Sequence, residues 1–392
     1  MVLASSREQS RLRAKLGDGV WMGTSRATAQ STDYRVAQLK ASVFRPARMM
    51  ADLCGGLGAD TIGIAQSSEA TTFVVVEKDP VVMAAAAFNL WSAGVDLARI
   101  DLRCEGVNAN HFDTAWAVHL DPDRRPQQSR VTALADMSPS PDVVAKIIER
   151  CGSGWLKLAP ATRIEPSPIA SCCPERPTCR VWLSADRSVR EQAFLWGATA
   201  ERLATKFDWP CKLETGGRST AETDEELPPR AACFFRENQW HGFAPAIPNS
   251  IQDTTTVEPE ALQDAWILDP DPAIRASGLT EHFAAAHGAR IIGQASGFLA
   301  SFQEPSSEVL AASVVGRVVH LDRYREKRLK AWCRAHDVTI TQCKVRVDGT
   351  RRPAISPENV CRQYSNTGSR PHTMWIGQWQ RSCYAAITES IV

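Results

Sequence analysis

No apolar stretch in these 392 residues approaches the roughly 20 that a membrane span needs, and the opening Met-Val-Leu-Ala-Ser-Ser-Arg-Glu carries no charged-then-apolar leader pattern. A cytoplasmic protein without a membrane segment is expected. Charge of one sign is missing too: 45 Lys and Arg stand against 44 Asp and Glu, for a net charge of +1, so no global basic excess advertises nucleic acid. The 12 cysteines include no paired CxxC motifs at zinc spacing, although Cys172, Cys173 and Cys179 lie close together. Reduced thiols and no metal are the expectation. There is no GxGxxG, which a dinucleotide fold would show, and no GxxxxGK[ST], which a phosphate-binding P-loop would show. No internal repeat is evident.

What is present begins at residue 50. Met-Ala-Asp-Leu-Cys-Gly-Gly-Leu-Gly-Ala-Asp follows a short apolar run, and a second run, Thr72-Phe73-Val74-Val75-Val76, ends on Glu77. Gly55, Gly56 and Gly58 let the backbone turn tightly and approach a ligand that a Cβ would push away. No Lys follows the glycines, and Asp52 and Asp60 bracket the loop with negative charge. Such a loop is ill suited to phosphates and suits a cofactor with a cationic or zwitterionic end. S-adenosylmethionine (SAM) carries both a sulfonium and an ammonium group. Glu77, closing the second strand, is placed to accept hydrogen bonds from ribose hydroxyls, as an acidic residue does in related nucleotide sites.

The strand and helix signals alternate: strand Met49 to Leu53, helix Asp60 to Gln66, strand Thr72 to Glu77, helix Pro80 to Ala93, strand Ile100 to Cys104, strand Ala115 to Leu120, helix Pro141 to Arg150 and strand Gly154 to Leu158. That alternation predicts a doubly wound α/β sheet with its ligands at the carboxyl ends of the strands. Arg180 to Ala185 and Arg190 to Leu195 read as a strand pair around Asp186-Arg187-Ser188. Residues 1–44 read as an N-terminal helical segment, 45–250 as the cofactor domain, 245–259 as a Pro-, Asn-, Ser- and Thr-rich linker, and 262–392 as an α+β module. Within that module a basic helix is expected over Asp322 to Ala335.

Asp52-Leu53-Cys54-Gly55-Gly56-Leu57-Gly58 resembles the first motif of class I SAM-dependent methyltransferases, usually DxGxGxG or DLGCGxG, with Cys54 where the first glycine is common. More narrowly, Gln30-Ser31-Thr32, the helix Tyr34 to Phe44, the glycine loop, Val76-Glu77-Lys78-Asp79-Pro80, Asp121-Pro122-Asp123-Arg124-Arg125 and Leu156-Lys157-Leu158-Ala159-Pro160 resemble the methyltransferases that carry a C-terminal THUMP-like domain. Trp266 to Ala276 and Cys343-Lys344-Val345-Arg346 resemble that domain itself. The resemblance implies a Rossmann-like class I fold, SAM as cofactor, and Asp52, Cys54, Gly55, Gly56, Gly58, Asp60, Glu77 and Asn108 around it. It puts Asp121 and Pro122 in the fourth motif beside the transferring methyl, where amine-methylating relatives often have [ND]PP[YFW]; Arg124 stands here at the aromatic's place. Lys157 and Asp121 are the candidates to remove a proton. An Arg plane can stack on a base or bind phosphate, which makes Arg124 and Arg125, with Arg325 and Arg328 on the basic helix, the expected contacts to an RNA substrate. Two other readings fit the same residues: a catalytically silent SAM-fold RNA-binding protein, and a methyltransferase acting on protein or a small molecule. Gln30-Ser31-Thr32 is read either as closing over the ligand or as the N-cap of the helix that follows.

Overall fold

The computed structural model describes residues 6–68, 70, 72–123, 134–164, 169, 172, 176–209, 228–246, 256–293, 297–347 and 355–390. The chain divides into two compact units, Met1–Asn249 and Ser250–Val392.

Three helices precede the first strand: α1 Ser6–Leu16, α2 Ser25–Gln30 and α3 Tyr34–Phe44. Asp33 accepts from the Arg35 N–H and is the N-cap of α3. Neither Ser31 nor Thr32 caps it, which corrects that alternative and frees Thr32 for other bonds. Val36, Leu39, Val43 and Phe44 recur at helical spacing and are buried against the sheet.

The alternation then runs β1 Met49–Leu53, α4 Ala59–Ser67, β2 Thr72–Val76, α5 Pro80–Ser92, β3 Ile100–Arg103, β4 Trp116–Leu120, α6 Pro141–Arg150 and β5 Ser153–Leu158. β6 Thr178–Ala185, β7 Ser188–Trp196, α7 Ala198–Lys206, β8 Arg230–Arg236 and β9 Gln239–Phe243 complete the unit. The sheet order is β3-β2-β1-β4-β5-β7-β6-β8-β9. Strands β1 to β5 are mutually parallel where they pair, and β7 lies antiparallel to both β5 and β6. The β6–β7 turn has positive φ at Asp186 (51°) and Arg187 (55°), the signature of a two-residue hairpin turn that matches strand twist. Arg35 of α3 holds it, donating to Asp186 at 2.7 and 2.6 Å.

Strands buried on both faces alternate between two cores. Met50, Phe73, Val75, Ala117 and Trp155 face the α3 side, while Ala51, Leu53, Val74, Val76, Val118, Leu120 and Leu156 face the α6 side. Asp52, His119 and Lys157, by the same period of two, fall on the α3 face at its carboxyl edge.

In the second unit eight strands form a mixed sheet, β10-β12-β13-β11-β14-β17-β16-β15. They are β10 Thr256–Val257, β11 Trp266–Pro270, β12 Arg290–Ile292, β13 Leu299–Ser301, β14 Ser313–Arg323, β15 Val338–Arg346, β16 Arg370–Trp379 and β17 Ser382–Ser390. The helices are α8 Pro272–Ala276, α9 Thr280–Ala286, α10 Ser307–Ala312, α11 Glu326–Ala335 and α12 Pro357–Tyr364. The basic helix is therefore shorter than its sequence suggests. Asp322 and Arg323 pair with Ala385 and Tyr384 of β17, so the strand continues through the first two residues of that run and the helix, α11, starts at Glu326. Most of the Pro-rich linker, 247–255, lies outside the described residues. Among the described residues no helix is long and apolar enough to cross a membrane, and no group of three or more His, Cys, Asp or Glu could hold a metal ion.

Candidate cofactor and methyl-transfer site

The loop after β1 turns back on itself. Cys54, Gly56 and Gly58 all have positive φ, 61°, 55° and 82°, a region where an L side chain is disfavoured. Cys54 occupies it nonetheless. Burial, helped by the nearby Glu77, Asp121 and Asp52 carboxylates, pushes its thiol well above the ordinary range, so it is a neutral packing group and no nucleophile. Gly55 is needed for space: a Cβ there would come within 2.8 Å of Val75. At Gly56 a Cβ would meet nothing within 4 Å, so this peptide faces open room. The half-buried Glu77 stands beside it, accepting from the Gly56 N–H at 3.1 Å and from the Asp79 N–H at 2.9 Å.

Asp52 and Asp60 are turned inward. Asp52 is fully buried; His119 Nδ1 lies 2.7 Å from one oxygen and the Thr61 hydroxyl donates to the other. On its far side, His119 Nε2 lies 3.1 Å from the Nζ of Lys40. An ammonium can only donate, so Nε2 accepts and Nδ1 carries the proton given to Asp52. Lys40, on the buried stripe of α3, also meets Asp60 at 3.0 Å and Glu191 at 3.1 Å. Burial alone would lower the Lys40 ammonium; Asp60, Glu191 and Asp121 outweigh it and raise it above its usual range. The Thr32 hydroxyl donates to Asp60 at 2.7 Å and accepts from Lys157 at 2.8 Å. Lys157, itself buried, donates to Asp121 at 2.6 Å. One continuous polar chain thus joins the cofactor loop to the ends of β4 and β5. Asp52, Asp60, Glu191 and Asp121 are four carboxylates against two ammonium groups, an excess of two negative charges.

Asp121 Oδ1 takes no hydrogen bond among the described residues, and Pro122 beside it is buried. Asp123 is clasped by α2, with Arg26 at 2.7 Å and Gln30 at 3.2 Å. Lys78 reaches Ser138 at 3.1 Å. Asn108 accepts from the Asn110 N–H at 3.0 Å and caps a short turn after β3. Arg124 and Arg125 lie outside the described residues. Arg325 and Arg328 belong to the second unit, where Arg325 is the N-cap of α11 and Arg328 pairs with Asp322 at 2.9 Å.

Lys40 and Glu191 are functional-site neighbours that sequence reasoning passed over. The signal was available: Lys40 sits four residues after Val36 and three before Val43 on an apolar helix face, and Glu191 shares strand parity with the buried Ala193 and Leu195.

No family model matches the sequence, and no curated protein does. Solved structures match. A protein of Porphyromonas gingivalis W83 assigned as a methyltransferase is similar over 98% of this chain and 89% of its own, at 15% identity and a TM-score of 0.67. The two chains share a fold. Two others overlap in part: an rRNA methylase from Streptococcus thermophilus (10% identity, 42% of this chain and 94% of that one, TM-score 0.31) and magnesium protoporphyrin IX methyltransferase from Synechocystis PCC 6803 with bound SAM (13%, 49% and 92%, 0.33). At those scores neither bears on what this chain does.

Proposed function

We propose that this chain is a SAM-dependent methyltransferase acting in the cytoplasm on structured RNA. One observation carries the cofactor assignment: the Glu77 carboxylate is bonded to the Gly56 N–H beside the open side of the loop, at the carboxyl edge of β1 and β2. A carboxylate has about four lone-pair sites, and two are used, so two remain for ribose hydroxyls. Cys54, Gly55, Gly56 and Gly58 shape the loop around the ligand, and Asn108 borders the adenine side. Asp52 and Asp60 act through their field. Their cluster's surplus of negative charge favours a cationic cofactor over a phosphorylated one.

SAM supplies an activated methyl on a sulfonium, a good leaving group, so alignment does most of the catalytic work. Asp121 Oδ1 receives the proton of the acceptor's N–H or O–H. Lys157 is a positioning residue: its ammonium fixes Asp121 and is itself held by Thr32. Pro122, next in chain, borders the same acceptor place. Arg124 and Arg125 follow directly in sequence and would meet substrate phosphates or bases. The second unit is read as a THUMP-like module that engages RNA through Arg325 and Arg328.

Thermal shift tests the cofactor, with stabilisation expected from SAM and its demethylated product and none from NAD. Failure of both to stabilise the protein would sink the reading. Mass spectrometry of RNA nucleosides from parent and deletion strains tests the acceptor, with loss of one methylated nucleoside expected. The missing aromatic at Arg124 favours a second reading, a silent SAM-fold RNA binder; SAM binding with an unchanged nucleoside profile would select it.

A further inference from the structure

The helix that joins β2 to β3 is apolar on its outer side as well as its inner one. Over its 13 residues, Pro80–Ser92, α5 carries no charged side chain. A helix that is apolar all round is ordinarily enclosed by its neighbours. Met83, Ala86 and Leu90 are buried, yet Val81 and Trp91 are 56% and 65% exposed. The exposed Ala84 and the half-buried Phe88 fall between them at helical spacing, on the same open side. Val20, 51% exposed, adjoins the end of the stripe, where its carbonyl accepts from the Ser92 hydroxyl at 2.8 Å. A contiguous apolar surface of this kind marks a docking face.

The strand that α5 leads into is open too. β3 ends its sheet and pairs only with β2 among the described residues. The Glu77 N–H donates to the Arg103 carbonyl at 3.1 Å, so the peptide groups of Arg103 and, by alternation, Asp101 face β2, and those of Leu102 face outward. Edge strands usually carry charge that repels a second edge. Here the two charges are opposite in sign, Asp101 and Arg103, paired at 2.7 Å on one face of the strand. A second, antiparallel β3 can meet the outward groups with a two-fold axis at Asp101, at Leu102 or at Arg103. An axis at Asp101 or at Arg103 sets like charges opposite each other. An axis at Leu102 pairs that residue with its own copy through two backbone bonds and sets Asp101 opposite Arg103 twice, in the positions where facing side chains come closest. Charge therefore selects one register of the three.

We propose that the chain forms a two-fold dimer in which β3 pairs with β3 of a second copy about Leu102 and the apolar stripes of the two α5 helices pack together. The two contacts agree in geometry. Ile100 and Leu102 share a core with Ala85 and Leu90 of α5, so α5 covers the sheet face to which those strand residues point, and the axis keeps both helices on that face. A crossover helix lies over the two strands it joins, so the helices stand about two strand spacings apart, roughly 10 Å, the separation at which helices pack. They run antiparallel, which brings Trp91 toward Val81 of the partner subunit. A second copy is the occupant because the charges of the edge complement themselves and the stripe offers no charge for another partner to read. The nine strands of each chain then continue into one sheet, with the two glycine loops opening at opposite ends.

Sedimentation velocity of the full chain, freed of nucleic acid, tests this over a series of concentrations. A species of twice the 43.0 kDa chain mass should grow with concentration, and Tm should rise with it. Val81→Glu with Trp91→Glu brings like charges into the helix contact and should raise the dimer dissociation constant at least about ten-fold. Arg103→Asp should raise it by about the same factor, because carboxylates then face each other across the axis. Adding Asp101→Arg to Arg103→Asp restores the opposite pairing with the signs exchanged, and should recover most of that loss. All four side chains lie at the surface of the single chain, so far-UV circular dichroism of the variants should match the parent; were the helix variant to misfold, the two edge variants carry the test. A parent that stays monomeric at every concentration overturns the proposal. So does a dimer indifferent to the helix variant, which would place the interface on another face, and an exchanged pair no better than Arg103→Asp, which would remove the β3 register. Neither readout requires SAM or RNA.

Discussion

Lys40 shows how much of this site is built from single charged residues taken out of water. Its side chain is fully buried, and it is tolerable only because Asp60 and Glu191 flank it and His119 accepts from it. Removing one partner of such a group leaves the others uncompensated, which typically costs about 3–5 kcal/mol. Lys40→Met should therefore destabilise the protein by about that much in urea denaturation; a loss below about 1 kcal/mol would show the cluster to be energetically idle. Asp60 supplies a second test through pH. Burial alone would raise its carboxyl, but Lys40 and Lys157 with the Thr32 bond outweigh that and hold it well below the ordinary carboxylate range. A carboxylate depressed in the folded state contributes fully above its unfolded value, near pH 4, and loses that contribution as pH falls further toward the folded value. The Tm gap between the parent and Asp60→Asn should be widest near neutrality and close below about pH 4. A gap independent of pH would contradict the assignment. The sequence showed each of these residues but not their meeting: Lys40 lies 79 positions from His119 and 151 from Glu191, and no local pattern links residues that far apart.

At the scale of elements, the alternation of short apolar runs with helical stretches was legible from Met49 to Leu158, because strands buried on both faces and their crossover helices leave strong, local signals. Two kinds of error mark where locality fails. The charged pair Asp322-Arg323 looks helical, yet its backbone groups are claimed by β17, some 60 residues on, a partner that no window of sequence contains. Asp33 took the N-cap that Ser31 or Thr32 could equally have filled, and the choice matters because it leaves Thr32 to join Asp60 and Lys157. The ends of β4 and β5 carry the catalytic prediction. Asp121→Asn keeps the hydrogen-bonding shape and loses the proton-accepting charge, so it should preserve SAM affinity and lower turnover about 100-fold or more, as measured by transfer of a radiolabelled methyl group. Unchanged turnover would leave alignment as the whole of catalysis and Asp121 without a chemical role.

For the molecule as a whole, each unit has its own sheet and its own buried core. A fragment ending at Asn249 should therefore fold and bind SAM with the affinity of the full chain, while RNA binding should fall; a fragment that unfolds or loses SAM would show that the first unit depends on the second. The first unit could be read from sequence because its sheet is mostly parallel with sequential crossovers. The second could be read only as mixed α+β, because β11 lies between β13 and β14, and the last strand, β17, is inserted between β14 and β16. The loop of glycines remains the place where the account stands or falls. Isothermal calorimetry of SAM against the full chain and Glu77→Ala measures it directly. One saturable site per chain is predicted, with affinity at least about ten-fold lower in the variant for the loss of charge-assisted ribose bonds and an unaltered Tm. No binding heat and no competition by the demethylated product, or equal affinity in both proteins, would contradict it.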